Sequence, residues 1–139
     1  MKRADIVAAA RGWVGTPFHH QAKLQGIGCD CIGLIAGVGD GVGATFSYPH
    51  NYGRSPDPDM LLRSVVEANV GHEIPLDHAG VGDVLLFRIY NLPQHFGVLT
   101  SDETMVHADI KQGIVEVHLG DAWRKRILRA YRFNGLEDA

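Results

Sequence analysis

The chain has 139 residues, 45% of them hydrophobic and 21% charged, which suffices for one domain with its own core, and residues 1–139 are read as a single unit. Thirteen Lys and Arg against sixteen Asp and Glu give a formal charge of −3 without a basic stripe, which argues against nucleic acid as a partner. No window is long and apolar enough for membrane insertion, and Cys29 and Cys31 are too close, at a helix start, to form an unstrained disulfide, so both thiols are expected to be free.

Residues 3–14 read as a first helix, with Ile6, Ala9, Ala10 and Trp13 on one face and Gly15-Thr16-Pro17 as its stop. The N-terminal stretch, Met1 to Ile6, carries positive charge but is followed by Arg11 and Gly12 and not by the apolar core of an export signal, so synthesis in the cytoplasm without a signal peptide is expected. Residues 18–27 form a polar loop that carries His19, His20 and Gln21.

That loop leads into Gly28-Cys29-Asp30-Cys31-Ile32-Gly33-Leu34. Asp30 is a good N-cap, and Leu34, Ile35, Val38 and Val42 recur at helical spacing, so Cys31 falls at the first helical position. There the free backbone N–H groups and the positive end of the helix dipole favour a thiolate, the reactive form of the side chain. Gly33 and Gly37, one turn apart, cost helix propensity and therefore mark where another element packs against the backbone. Cys31 is a candidate nucleophile, and such a thiol needs a base.

The run from Tyr48 to Pro58 has too many breakers for a regular element; Tyr48 and Tyr52 are read there as loop packing, with a substrate-groove role as the alternative. Asp57 and Pro58 then start a helix over residues 58–69. Beyond Gly82 the period shortens to that of strands, over residues 84–87, 95–100, 104–108 and 114–118, with a helical turn near residues 121–125 and a closing strand over 127–133. The fold class is α+β: N-terminal helices, the Cys31 helix among them, packed on a central antiparallel sheet.

Eight His are candidates for the base. His95 is read as opening a strand after the turn Asn91-Leu92-Pro93-Gln94, and His107 lies on the neighbouring strand, where cross-strand side chains approach within about 5 Å. A Cys–His–His line is then possible, with two ordinary sheet-surface His as the alternative.

Five ordered segments carry a resemblance: Val14-Gly15-Thr16-Pro17-Phe18, Asp30-Cys31-Ile32-Gly33-Leu34, Gly82-Asp83-Val84, His95-Phe96-Gly97-Val98 and Val106-His107-Ala108. Together they resemble the NlpC-type cell-wall cysteine peptidases, papain-like in architecture, and most closely the short forms found with phage tails and gene transfer agents. The resemblance implies a peptidoglycan hydrolase with Cys31 as nucleophile, His95 as general base and then acid, and His107 as the residue that orients His95. It implies no cofactor and no metal. The substrate it implies is a peptidoglycan stem peptide, cut between D-γ-glutamyl and diaminopimelate, and the partners are phage-like tail proteins that carry the enzyme to the periplasm or cell wall. Phe18 stands where the family commonly has Tyr, which leaves the second oxyanion donor unassigned; His19 is the candidate for that place and Asp30 for a substrate contact.

Three other readings remain open. Cys29, Cys31, His19, His20, His95 and His107 are all possible zinc ligands, although Cys-x-Cys at a helix start is not a zinc knuckle. The fold can also serve as a tail-assembly part with weak or no activity, or as an acyltransferase or amidase. Cys29 is read as a buried neighbour or resolving thiol, and Arg54 and Arg88 as exposed residues that can meet a substrate carboxylate.

Overall fold

A computed structural model of the chain describes residues 1–54, 57–89 and 92–137. Helix α1 (Arg3–Arg11) is shorter than its periodicity suggested, because the chain turns at Gly12 and reaches Gly15 with φ of +95°, a conformation open to glycine. The polar loop folds back on itself through a small hairpin, β1 (Lys23–Leu24) on β2 (Gly28–Cys29), which periodicity had not revealed. Helix α2 (Cys31–Gly41) follows, and α3 (Pro58–Glu67) starts as expected from Asp57, whose carboxylate accepts the Asp59 N–H at 2.9 Å.

The sheet has six strands: β3 (Gly71–Ile74), β4 (Val84–Ile89), β5 (Leu92–Leu99), β6 (Thr104–Asp109), β7 (Gly113–His118) and β8 (Ile127–Phe133), in the order β3-β8-β4-β5-β6-β7, all antiparallel. The meander over β4 to β7 is the one read from the sequence. Two parts go beyond that reading. β3 was not foreseen, and the closing strand β8, to which the sequence assigned no neighbour, lies between β3 and β4, on the far side of the sheet from β7, after the short helix α4 (Asp121–Arg124). Leu92 to Gln94 belong to β5 and not to the turn before it; Tyr90 and Asn91, the rest of that stretch, lie outside the described residues.

Alternation along the strands divides the core in two. Val84, Leu86, Phe96, Val98 and Val106 join Ile32, Leu34, Ile35 and Val38 of α2 in the larger cluster, while Leu85, Phe87, Met105 and Ala130 form the smaller one on the other face, with Trp123 packed against it. The two glycines of α2 mark close approaches, as their cost implied: a Cβ at Gly33 would collide with the Ala22 carbonyl oxygen and one at Gly37 with the Trp13 ring. α2 is thus clamped between the sheet, α1 and the hairpin. At the mouth of β4, Asp83 is fully buried and holds Arg132 by two hydrogen bonds of 2.9 and 2.8 Å, with Arg3 3.6 Å away. No helix among the described residues is long and apolar enough to cross a membrane.

Candidate active site

The first turn of α2 is built around Asp30, which is only 3% exposed. Its Oδ1 accepts the Gly33 N–H at 2.8 Å, the N-cap bond expected from the sequence. Its Oδ2 accepts the Gln21 N–H at 2.8 Å and the Tyr52 O–H at 2.6 Å, and His20 Nδ1 stands 3.9 Å away. Cys31, the next residue, is partly exposed, and Cys29 is completely buried with its thiol donating to the Asp30 carbonyl at 3.2 Å.

The electrostatics of Cys31 correct the expectation of a thiolate favoured by position. Burial and the neighbouring Asp30 charge push the Cys31 thiol up to about 12, against the backbone N–H groups of Phe96, Ile32 and Cys31 itself, which lower it. The helix terminus does act on the sulfur, but desolvation outweighs it. Burial likewise raises Cys29. Cys29 and Tyr52 also lie close enough to feel the Cys31 charge.

The Phe96 amide places the sulfur beside β5 one residue from His95. There the two rings meet: His95 Nε2 lies 2.9 Å from His107 Nδ1, the planes 86° apart. They are not directly opposite, as the sequence reading had them. His107 pairs with Gly97, so His95 reaches it diagonally across a residue that has no side chain to intervene. His107 is 4% exposed. Burial lowers His95 to about 3, helped by the adjacent His107, and lowers His107 as well, so both rings are neutral at neutral pH.

Sequence reasoning missed two contributors. Trp123, on the one-turn helix α4, stacks on His95 with centroids 5.8 Å apart and planes at 25°, and meets His107 edge-on at 5.0 Å. A lone Trp in a helical turn carries no sequence signal of this role. Tyr52 crosses from the loop after α2 to Asp30, and nothing in the sequence links the two.

The remaining candidates make other contacts. His19 is exposed with Nδ1 3.0 Å from the His20 carbonyl, and it is His20 that approaches Asp30. Arg54 is exposed, and Arg88 is exposed on β4 immediately after Phe87, the residue that pairs with His95. Among the described residues, no three His, Cys, Asp or Glu side chains are grouped so as to hold a metal ion, so the set Cys29, Cys31, His19, His20, His95 and His107 is not drawn together as a zinc site.

The sequence profile of the NlpC/P60 family matches residues 15–132. No curated protein matches the chain. Among solved structures, an NlpC/P60 family protein from Bacillus cereus ATCC 10987 superposes with a TM-score of 0.68 at 18% identity, over 92% of this chain and 39% of that one. A Staphylococcus aureus Mu50 protein described as similar to lipoprotein, NLP/P60 family, gives 0.66 at 21%, over 94% and 40%. The NlpC/p60 domain of the peptidoglycan hydrolase SagA gives 0.66 at 21%, over 94% and 97%. The chain therefore spans about two fifths of the first two proteins, and at these identities the likeness is one of fold, the papain-like α+β arrangement expected from the sequence.

Proposed function

Since the match over residues 15–132 takes in most of the chain, the protein belongs to the NlpC/P60 family, and from that premise we propose that it is a cysteine peptidase that hydrolyses peptides of the cell wall. The observation that carries the reading is the 2.9 Å bond between His95 Nε2 and His107 Nδ1, on the strand whose next amide, that of Phe96, lies against the Cys31 sulfur.

In this reading His107 accepts the Nε2 proton of His95, which leaves His95 Nδ1 unprotonated and able to take a proton. Substrate brings thiol and ring into line, and the Cys31 proton passes to His95 as sulfur attacks the peptide carbonyl carbon. The Cys31 backbone N–H at the helix start stabilises the oxyanion. His95 then protonates the leaving nitrogen as the C–N bond breaks. Water, giving its proton to His95, attacks the thioester, and as the C–S bond breaks His95 returns that proton to sulfur, releasing the acid product and restoring the thiol and the neutral ring. At rest the His95 ring is neutral and the thiol keeps its proton, so the enzyme holds no ion pair; a ring of depressed pKa is a weak base, and the proton transfer is driven by the bond that sulfur forms to the carbonyl carbon.

The finer parts of the proposal are that the bond cut joins D-γ-glutamyl to diaminopimelate in a stem peptide, that the enzyme works with phage-like tail proteins, and that it acts in the periplasm or cell wall. Digestion of purified peptidoglycan tests the core of the reading. Hydrolysis abolished by Cys31→Ala and by His95→Ala supports it, and mass spectrometry of the products identifies the bond. Equal digestion by wild type and Cys31→Ala would refute it.

A further inference from the structure

Asp30 has two effects on Cys31 that oppose each other. It caps the helix that presents the thiol, yet its charge ranks next after burial in disfavouring the thiolate. The oxygen not used for capping, Oδ2, is where the conflict is eased, by the Gln21 N–H and by the Tyr52 hydroxyl at 2.6 Å. A hydrogen bond to an ionised acceptor is among the stronger ones, and it draws negative charge toward its donor.

Tyr52 is well held for this task. Gln21 Nε2 donates to its carbonyl at 2.6 Å, the His20 ring meets it edge-on at 5.6 Å, and Tyr48 lies beside it at 6.4 Å. Burial and the bond to Asp30 raise the pKa of the Tyr52 hydroxyl, so it remains a donor under alkaline conditions. Tyr48 supplies a contrast from the same loop: its hydroxyl is buried without a hydrogen-bond partner among the described residues.

We propose that Tyr52 is a positioning residue for Cys31, its hydroxyl fixing the Asp30 carboxylate in the capping orientation and drawing its charge toward the loop and away from the sulfur. The proposal rests on Cys31 being the nucleophile. Hydrogen-bonding and titratable groups around the sulfur and Asp30 come from several neighbouring elements: Gln21 and His20 from the loop before α2, Cys29 from β2, Tyr48 and Tyr52 from the loop after α2, and the Phe96 amide from β5, one residue after His95.

The test is iodoacetamide alkylation of wild type, Tyr52→Phe and Tyr48→Phe at about pH 8, 9 and 10, where the rate at Cys31 is proportional to its thiolate fraction, with the modification at Cys31 read by mass spectrometry. Tyr52→Phe is expected to slow alkylation of Cys31 about three- to tenfold at each pH, and Tyr48→Phe to leave it unchanged. With peptide substrate, kcat of Tyr52→Phe should fall about three- to tenfold with KM nearly unchanged. An unchanged alkylation rate in Tyr52→Phe, even with a lower melting temperature, would assign the hydroxyl to stability alone and overturn the proposal, as would an equal slowing in Tyr48→Phe. Alkylation does not require turnover. If Cys31→Ala still digests peptidoglycan, the peptidase reading fails while this comparison remains readable.

Discussion

Replacing Gly33 by Ala sets two known effects against each other, and the structure decides which wins. Ala is the better helix former by about 1 kcal/mol. The new methyl, however, would collide with the Ala22 carbonyl oxygen and lie 3.2 Å from Asp30 Oδ1. The carbonyl cannot easily withdraw, because it accepts the Asp30 N–H and its own residue donates to the His19 carbonyl at 3.2 Å. Overpacking of this kind costs about 1–3 kcal/mol, and disturbance of the Asp30 cap adds about 1 kcal/mol. The balance is a loss of about 2 kcal/mol, which for a chain of this length lowers the melting temperature by roughly 5–8 °C. Scanning calorimetry on Gly33→Ala should show that drop, with Gly53→Ala as the control, since a Cβ there meets nothing within 4 Å. The same substitution should impair hydrolysis in a folded protein, because the carbonyl it displaces braces the turn that presents Cys31. If Gly33→Ala melts at or above wild type, the Ala22 carbonyl is not fixed and the account of why glycine stands there is wrong.

Trp123→Ala should admit water to the imidazole pair and raise the His95 pKa by at least about one unit, read by NMR titration of the ring; an unmoved value would mean that Trp123 does not contribute to its desolvation. Asp83→Asn leaves Arg132 facing a neutral group at the mouth of β4, and because Arg132 is a fifth exposed, the cost should sit near the lower end for a broken buried pair, about 3 kcal/mol by urea denaturation. A loss below about 1 kcal/mol would show that solvent replaces the carboxylate without strain. The pH dependence of stability follows from the lowered pKa values of His95 and His107. Unfolded chains bind these protons below the ordinary His value of about 6.5, whereas folded His95 resists protonation until about 3. Stability from this source is therefore complete above pH 6.5 or so and is lost as pH falls from there toward 3. Urea midpoints measured across that range should decline less steeply in His95→Gln than in wild type, and parallel declines would remove His95 as their cause.

How much of this was legible beforehand depended on the range of the interaction. The N-cap at Asp30 and the first-turn place of Cys31 were readable because a cap and its helix are set by neighbouring residues. So were the strands of the β4 to β7 meander, whose alternation is local. The glycines at positions 33 and 37 announced that something pressed on α2, but not that it was the Ala22 carbonyl and the Trp13 ring. β3 escaped notice because four residues are too short a run to show alternation, and the neighbours of β8 were not legible because strand order depends on long-range pairing and not on the strand's own residues.

The chemistry of the site divides along the same line. The capped helix start made Cys31 a candidate nucleophile, whereas His95 and His107 were singled out among the eight His by the family resemblance and not by periodicity. Only the tertiary structure determined their protonation: burial and the Asp30 charge hold Cys31 as a thiol, burial keeps both rings neutral, and Trp123 and Tyr52 arrive from distant segments to cover one and brace the other. Desolvation is the sum of everything packed around a group, and a sequence of neighbours along the chain does not contain that sum.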